Sequence, residues 1–158
     1  MTADIVIRKE TPRQPDVARL LALSDAYAAS LYPSESNHML PVDALDNPAV
    51  SFFVARRGDT VLGCAALVGQ AEREGEIKRM YVDSDARGLK LGRRLLEALE
   101  SEARRRGITV LRLETGIYQP EAIGLYRKAG YRDIEPFGSY QADPLSLFME
   151  KTLAAEEG

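Results

Sequence analysis

Asp85-Ala-Arg-Gly-Leu-Lys-Leu-Gly-Arg-Arg-Leu-Leu96 is where this 158-residue chain breaks its own local rules. From Leu91 onward the pattern is plain. Leu91, Leu95, Leu99 and Ala103 recur every four residues, with Leu96 beside them, which predicts one buried helix face. Glu100 with Arg104 and Glu102 with Arg106 are i,i+4 pairs on that helix, and Gly107 suits its C-terminal cap. The other end is the anomaly. Arg87, Lys90, Arg93 and Arg94 crowd a helix N-terminus that already carries partial positive charge and unpaired N–H groups. Asp83 and Asp85 offset only part of that repulsion. A breach of local consistency marks a candidate functional site, and a bound anion would resolve it. Gly88 and Gly92 would let the backbone come close to a phosphate. The plain alternative is a solvated basic turn.

Working outward, Ile5 and Ile7 alternate with polar residues as in a strand. Pro15 and Asp16 open a helix carrying Val17, Leu20, Leu21, Ser24, Ala28 and Leu31, and Pro33 stops it. Pro41 to Leu45 reads as a short second helix. Ser51 to Arg57 and Thr60 to Val68 flank a Gly58-Asp59 turn, and Glu76 to Val82 follows a polar turn placed at Glu74 and Gly75. Beyond the long helix, Val110 to Glu114 reads as a strand, Pro120 to Ala129 as a helix, and Tyr131 to Ile134 and Leu145 to Lys151 as closing strands. The order β-α-α-β-β-β-α-β-α-β-β describes an α/β (α+β) fold. Its mixed, mostly antiparallel twisted sheet has about seven strands flanked by helices. No linker divides the chain, so one domain over 1–158 is expected, with 154–158 as a frayed tail.

Composition narrows the function. A net charge of −3 is a poor start for a nucleic-acid binder. No apolar run is long enough to span a bilayer, and the first residues lack a secretory pattern. The single Cys64 lies in the apolar run Val61 to Val68 and reads as a small buried hydrophobe. A reducing cytoplasm is the expected compartment, and one histidine with one cysteine gives no structural zinc site. The Walker and dinucleotide glycine patterns and the nucleophile elbow are absent.

Two segments together resemble a known family. Arg87-Gly-Leu-Lys-Leu-Gly92 resembles motif A of the GNAT superfamily of N-acetyltransferases, Q/R-x-x-G-x-G/A, with Lys90 where the middle glycine is usual. Gln119-Pro-Glu-Ala-Ile-Gly-Leu-Tyr-Arg-Lys-Ala-Gly-Tyr131 is similar to motif B, N-x-x-A-x-x-L-Y-x-x-x-G-F/Y, through Ala122, Leu125, Tyr126, Gly130 and Tyr131. Gln119 replaces the frequent asparagine. The strand Glu76 to Val82 also resembles the one preceding motif A.

The resemblance implies acetyl transfer from acetyl-CoA to a primary amine, of a small molecule or of a protein, and the absence of extra domains favours a small-molecule acceptor; no metal, nucleic acid or membrane is expected. It implies that two neighbouring strands splay apart around the pantetheine. The backbone of Met80, Tyr81 and Val82 would bind that arm, and the turn of Arg87, Gly88, Lys90, Leu91, Gly92 and Arg93 the pyrophosphate, with Gln119 nearby. Tyr126 matches the tyrosine that protonates the leaving thiolate. Glu76 is the first candidate to accept the amine proton, Glu114 the second, and ordered water a third route. Glu35, Ser36, His38 and Tyr140 fall in loops that border the acceptor in this family. A non-catalytic acyl-CoA-binding module on the same fold is the competing reading. Homodimerisation is left open.

Overall fold

The computed structural model describes residues 4–36, 39–86 and 88–153. His38, Arg87 and the expected tail at 154–158 lie outside the described residues. Seven strands, β1 (Ile5–Lys9), β2 (Val50–Arg57), β3 (Thr60–Gly69), β4 (Glu74–Val82), β5 (Val110–Gly116), β6 (Arg132–Ile134) and β7 (Ser146–Thr152), form one sheet. Their order is β1-β2-β3-β4-β5-β7-β6, and only the β4–β5 pair is parallel.

Helices cover both faces. On one face, α1 (Pro15–Leu31) and α2 (Val42–Leu45) pack Val17, Leu20, Leu21 and Leu45 against Phe52, Val54, Cys64 and Ala66. On the other, α3 (Leu91–Arg105) and α4 (Pro120–Lys128) pack against Ala65, Leu67, Ile77, Leu111, Leu113 and Met149. Neighbouring residues of β3 thus face two different cores, which is why its run is apolar throughout rather than alternating. All five predicted apolar residues of α3 are buried, and Gly107 ends that helix at φ +75°.

Three local expectations are corrected. Glu74 and Gly75 are not a turn but the start of β4, with Glu74 paired with β5 and Gly75 with both β3 and β5. A Cβ at Gly75 would press on Leu67, Ile108 and Leu111 at 3.0 to 3.2 Å, so this glycine serves close packing inside a strand. The reversal falls earlier, where Arg73 takes φ +65°. The Glu102–Arg106 pair does not form. Glu102 is buried on the sheet side, bonded to Ser51 Oγ (2.6 Å), Lys9 Nζ (3.1 Å) and Arg105, while Arg106 reaches Ser51 Oγ and the Ala49 carbonyl. Nor do all four cations at the α3 N-terminus await an anion. Arg93 pairs with Glu97 at 3.1 Å and Arg94 donates to the Ile5 carbonyl at 3.1 Å.

Candidate active site

Strands β4 and β5 are paired only from Glu74–Ile77 against Val110–Leu113. Past that point they part, β4 staying with β3 and β5 with β7. A cleft of about 140 Å³ opens between them, lined by Arg79, Met80 and Tyr81 from β4, Glu114 and Gly116 from β5, and Tyr126 from α4. The expected splaying of two strands is present, between β4 and β5.

A bulge supports the divergence. Cys64 faces Tyr81 and Ala66 faces Lys78, so Arg79 and Met80 together oppose Ala65 alone. Arg79 takes φ +56°, unusual for a side chain of that size. The two adjacent cations Lys78 and Arg79 are the trace of this bulge in the sequence, since an uninterrupted strand would alternate them with apolar residues. Sequence reading missed both as site residues.

Tyr126 is buried, and burial first and the Glu114 carboxylate second push its phenol well above the ordinary value of 10.0. It sits edge-on to Tyr131 at 5.9 Å. Glu114 shares the cleft with it and accepts a hydrogen bond from Ser146 Oγ at 2.7 Å. Glu76 lies elsewhere. It lines an adjoining cavity of about 870 Å³ and accepts from Gln70 Nε2 at 3.0 Å and Tyr140 Oη at 2.6 Å. Lys78 borders both spaces and donates to Tyr140 Oη at 2.6 Å. The structure therefore brings Tyr126 together with Glu114 and places Glu76 with Tyr140.

The larger cavity carries two more of the acceptor-side residues. Glu35 lines it, and Ser36 is tied to it through a 2.6 Å bond to Asp143. Cys64 is fully buried, and burial pushes its thiol up to about 12, so it behaves as a small hydrophobe.

At the α3 N-terminus the backbone turns through Gly88 at φ +83° and Lys90 at φ +56°. Lys90 thus occupies the left-handed conformation that favours glycine, where the motif usually has one. Among the described residues no side chain caps the helix there, and the first helical bond, Arg94 N–H to Lys90 C=O at 3.1 Å, leaves the amides of Leu91, Gly92 and Arg93 ahead of it. Gly92 has a second use, because a Cβ there would meet Leu125 of α4 at 2.9 Å. Met80 and Tyr81 border the cleft, whereas Val82 is paired with Gly63. Gln119 borders the cleft and accepts from Tyr32 Oη at 3.3 Å. Tyr32 is a further residue of this site that the sequence motifs do not mark. No local signal marks it, because its role is a contact 87 residues away.

The acetyltransferase (GNAT) family model matches residues 18–131. The chain belongs to this family. It is 51% identical over 151 residues to an IAA acetyltransferase of Azospirillum brasilense, covering 95% of this chain and 99% of that one. A Klebsiella pneumoniae structure provisionally described as an acyl-CoA N-acyltransferase is 40% identical, with a TM-score of 0.80, covering 95% of this chain and 98% of that one. The PaiA N-acetyltransferase of Thermoplasma acidophilum, solved with coenzyme A, shares the fold at 20% identity and a TM-score of 0.74, covering 95% and 99%. This GNAT chain is by class an N-acetyltransferase, and the mixed seven-stranded sheet is the architecture of its neighbours.

Proposed function

We propose that this protein transfers an acetyl group from acetyl-CoA to a primary amine of a small-molecule acceptor, by direct attack in a ternary complex. The observation that carries this reading is the cleft between β4 and β5, which holds Tyr126 and Glu114 beside an uncapped helix start. The amides of α3 and the turn at Gly88 and Lys90 would take the pyrophosphate, and the β4 backbone at Met80 and Tyr81 the pantetheine arm. Arg87 would join them by the motif. The adjoining cavity has the volume of a small-molecule site.

The chemistry follows from the residues. An alkylamine is mostly protonated at neutral pH and must lose a proton to attack. With that first proton released to solvent, the neutral nitrogen bonds to the thioester carbon, and Glu114, directly or through one water, accepts the second N–H proton that the tetrahedral nitrogen must shed. A backbone amide of β4 stabilises the oxyanion. As the carbon–sulfur bond breaks, the Tyr126 hydroxyl gives its proton to the departing thiolate. Its raised pKa keeps that proton in place through the neutral range. Glu114 is preferred to Glu76 because it shares the cleft with Tyr126, while Glu76 lines the adjoining cavity. Glu76 then anchors the loop before β7.

The melting temperature with saturating acetyl-CoA tests the donor site, with adenosine 3′,5′-bisphosphate and acetate as controls. Ligand at about 100 times its Kd adds roughly 2.7 kcal/mol, which raises Tm by several degrees. Thiol release with a panel of amines then tests transfer. No shift at millimolar acetyl-CoA would remove the reading.

A further inference from the structure

The bulge that opens the cleft is held by a side chain whose own position is strained. Arg79 takes φ +56°, a conformation glycine adopts freely and arginine does not. The backbone alone gives no reason for an arginine there. The side chain does. It is buried, donating from Nη1 to Asp25 Oδ1 at 2.6 Å and from Nη2 to the Leu21 carbonyl at 3.2 Å, both on α1. Its Nε is buried without a partner among the described residues, a cost the other contacts must exceed. The Arg79 carbonyl in turn accepts the Cys64 thiol at 3.3 Å. The peptide after Arg79 is therefore gripped from two sides, by α1 through the guanidinium and by β3 through the thiol. No peptide among the described residues is cis, so the Met80 N–H points away from Cys64.

We infer that Arg79 is a positioning residue for acyl transfer: its guanidinium, moored on α1 through Asp25 and Leu21, fixes the β4 bulge and so the aim of the Met80 backbone in the cleft. This rests on the acetyl-transfer reading above. Arg79 and Asp25 do not touch the reacting atoms. They act through the peptide between Arg79 and Met80. The mooring also ties α1 to the strand that lines the cleft, so a displaced α1 would misplace the backbone at the reacting carbon.

Arg79→Gly separates the mooring from the backbone conformation, because glycine keeps the left-handed φ without strain. With acetyl-CoA and the best amine of the panel, Arg79→Gly should lower kcat by about tenfold or more and change the KM for acetyl-CoA by less than about threefold. Asp25→Asn, at the water-exposed end of the pair, should lower kcat in the same direction by less, with the fold intact by circular dichroism. Arg79→Lys should recover part of the loss. An unchanged kcat in both Arg79→Gly and Asp25→Asn overturns the proposal, as does a loss that appears only in the KM for acetyl-CoA. If Arg79→Gly does not fold, Asp25→Asn decides alone. A wild-type chain that turns over no amine overturns reading and proposal together. An active wild type with unaltered variants overturns the proposal alone.

Discussion

The ring of Tyr32 occupies the space that a side chain on Gly116 would fill. A Cβ on Gly116 would come within 1.9 Å of Tyr32 Oη and 2.0 Å of its Cζ. The same hydroxyl accepts the Tyr118 amide at 3.0 Å and donates to Gln119 Oε1 at 3.3 Å, and the ring stacks on Tyr118 at 5.6 Å. The C-terminal end of α1 is thereby fastened to the end of β5 and to the start of α4, the helix carrying Tyr126. Gly116→Ala must expel a buried ring. It should cost about 3 kcal/mol and lower Tm by roughly 10 °C, read by thermal unfolding. A loss under about 1 kcal/mol would mean that the ring has another place to go.

Tyr126→Phe tests the proton donor. The phenol is buried and its hydroxyl is the only group changed, so stability should shift little. kcat should fall by about 10²-fold or more when chemistry limits the rate. Because the phenol is pushed above 10.0, it stays protonated as pH rises through the neutral range, and the wild-type kcat should show no fall from its ionisation below pH 10. A kcat in Tyr126→Phe equal to wild type would remove the assignment.

The two carboxylates should separate kinetically. Glu114→Gln should lower kcat, because the group that accepts the proton is lost. Glu76→Gln should act mainly on the KM for the amine, because the bond to Tyr140 holds the loop over the acceptor cavity. The opposite pattern would return the proton-accepting role to Glu76.

Glu102 offers a test of stability against pH. Burial alone would raise its carboxyl, but hydrogen bonds from Ser51, Arg105 and Lys9 overcome this and bring it from 4.5 down to about 2. A folded-state value below the unfolded one stabilises the protein above pH 4.5, and that contribution is lost as pH falls toward 2. Glu102→Gln should therefore be less stable than wild type at pH 7, with the gap narrowing between pH 4.5 and 2 in denaturant melts. A gap independent of pH would show that packing, not charge, is what Glu102 contributes.

Lys90→Gly relieves a left-handed φ at an exposed position, so stability should stay within about 1 kcal/mol of wild type. Acetyl-CoA should bind up to about fivefold more weakly, most clearly at low salt, if the ammonium contacts a phosphate. Equal affinity at all salt concentrations would reduce Lys90 to a backbone role.

Much of the architecture was written locally. The four-residue recurrence of Leu91, Leu95, Leu99 and Ala103, the glycine that ends their helix, and Gly58-Asp59 between two apolar runs each encode an element through interactions within a few residues. The two motifs fixed where to look for the site by the same local logic. Where the reading failed, the deciding contact was distant. Gly75 looked like a turn because glycine commonly is one, yet it sits in β4 because Ile108 and Leu111 leave no room for a side chain. Glu102 looked like a surface partner of Arg106, yet it turns inward to Ser51.

The chain's sequence by itself determined the order of its elements, the face that α3 buries, and the family to which the two motifs belong. Only the tertiary structure decided where β4 and β5 part, that Glu114 rather than Glu76 stands in the cleft with Tyr126, and that Arg79 and Tyr32 hold its walls. The physical reason is reach. Periodicity and capping act over a few residues along the chain. The Arg79–Asp25 and Tyr32–Tyr118 contacts join residues 54 and 86 apart, and such pairs exist only once the sheet has brought them together.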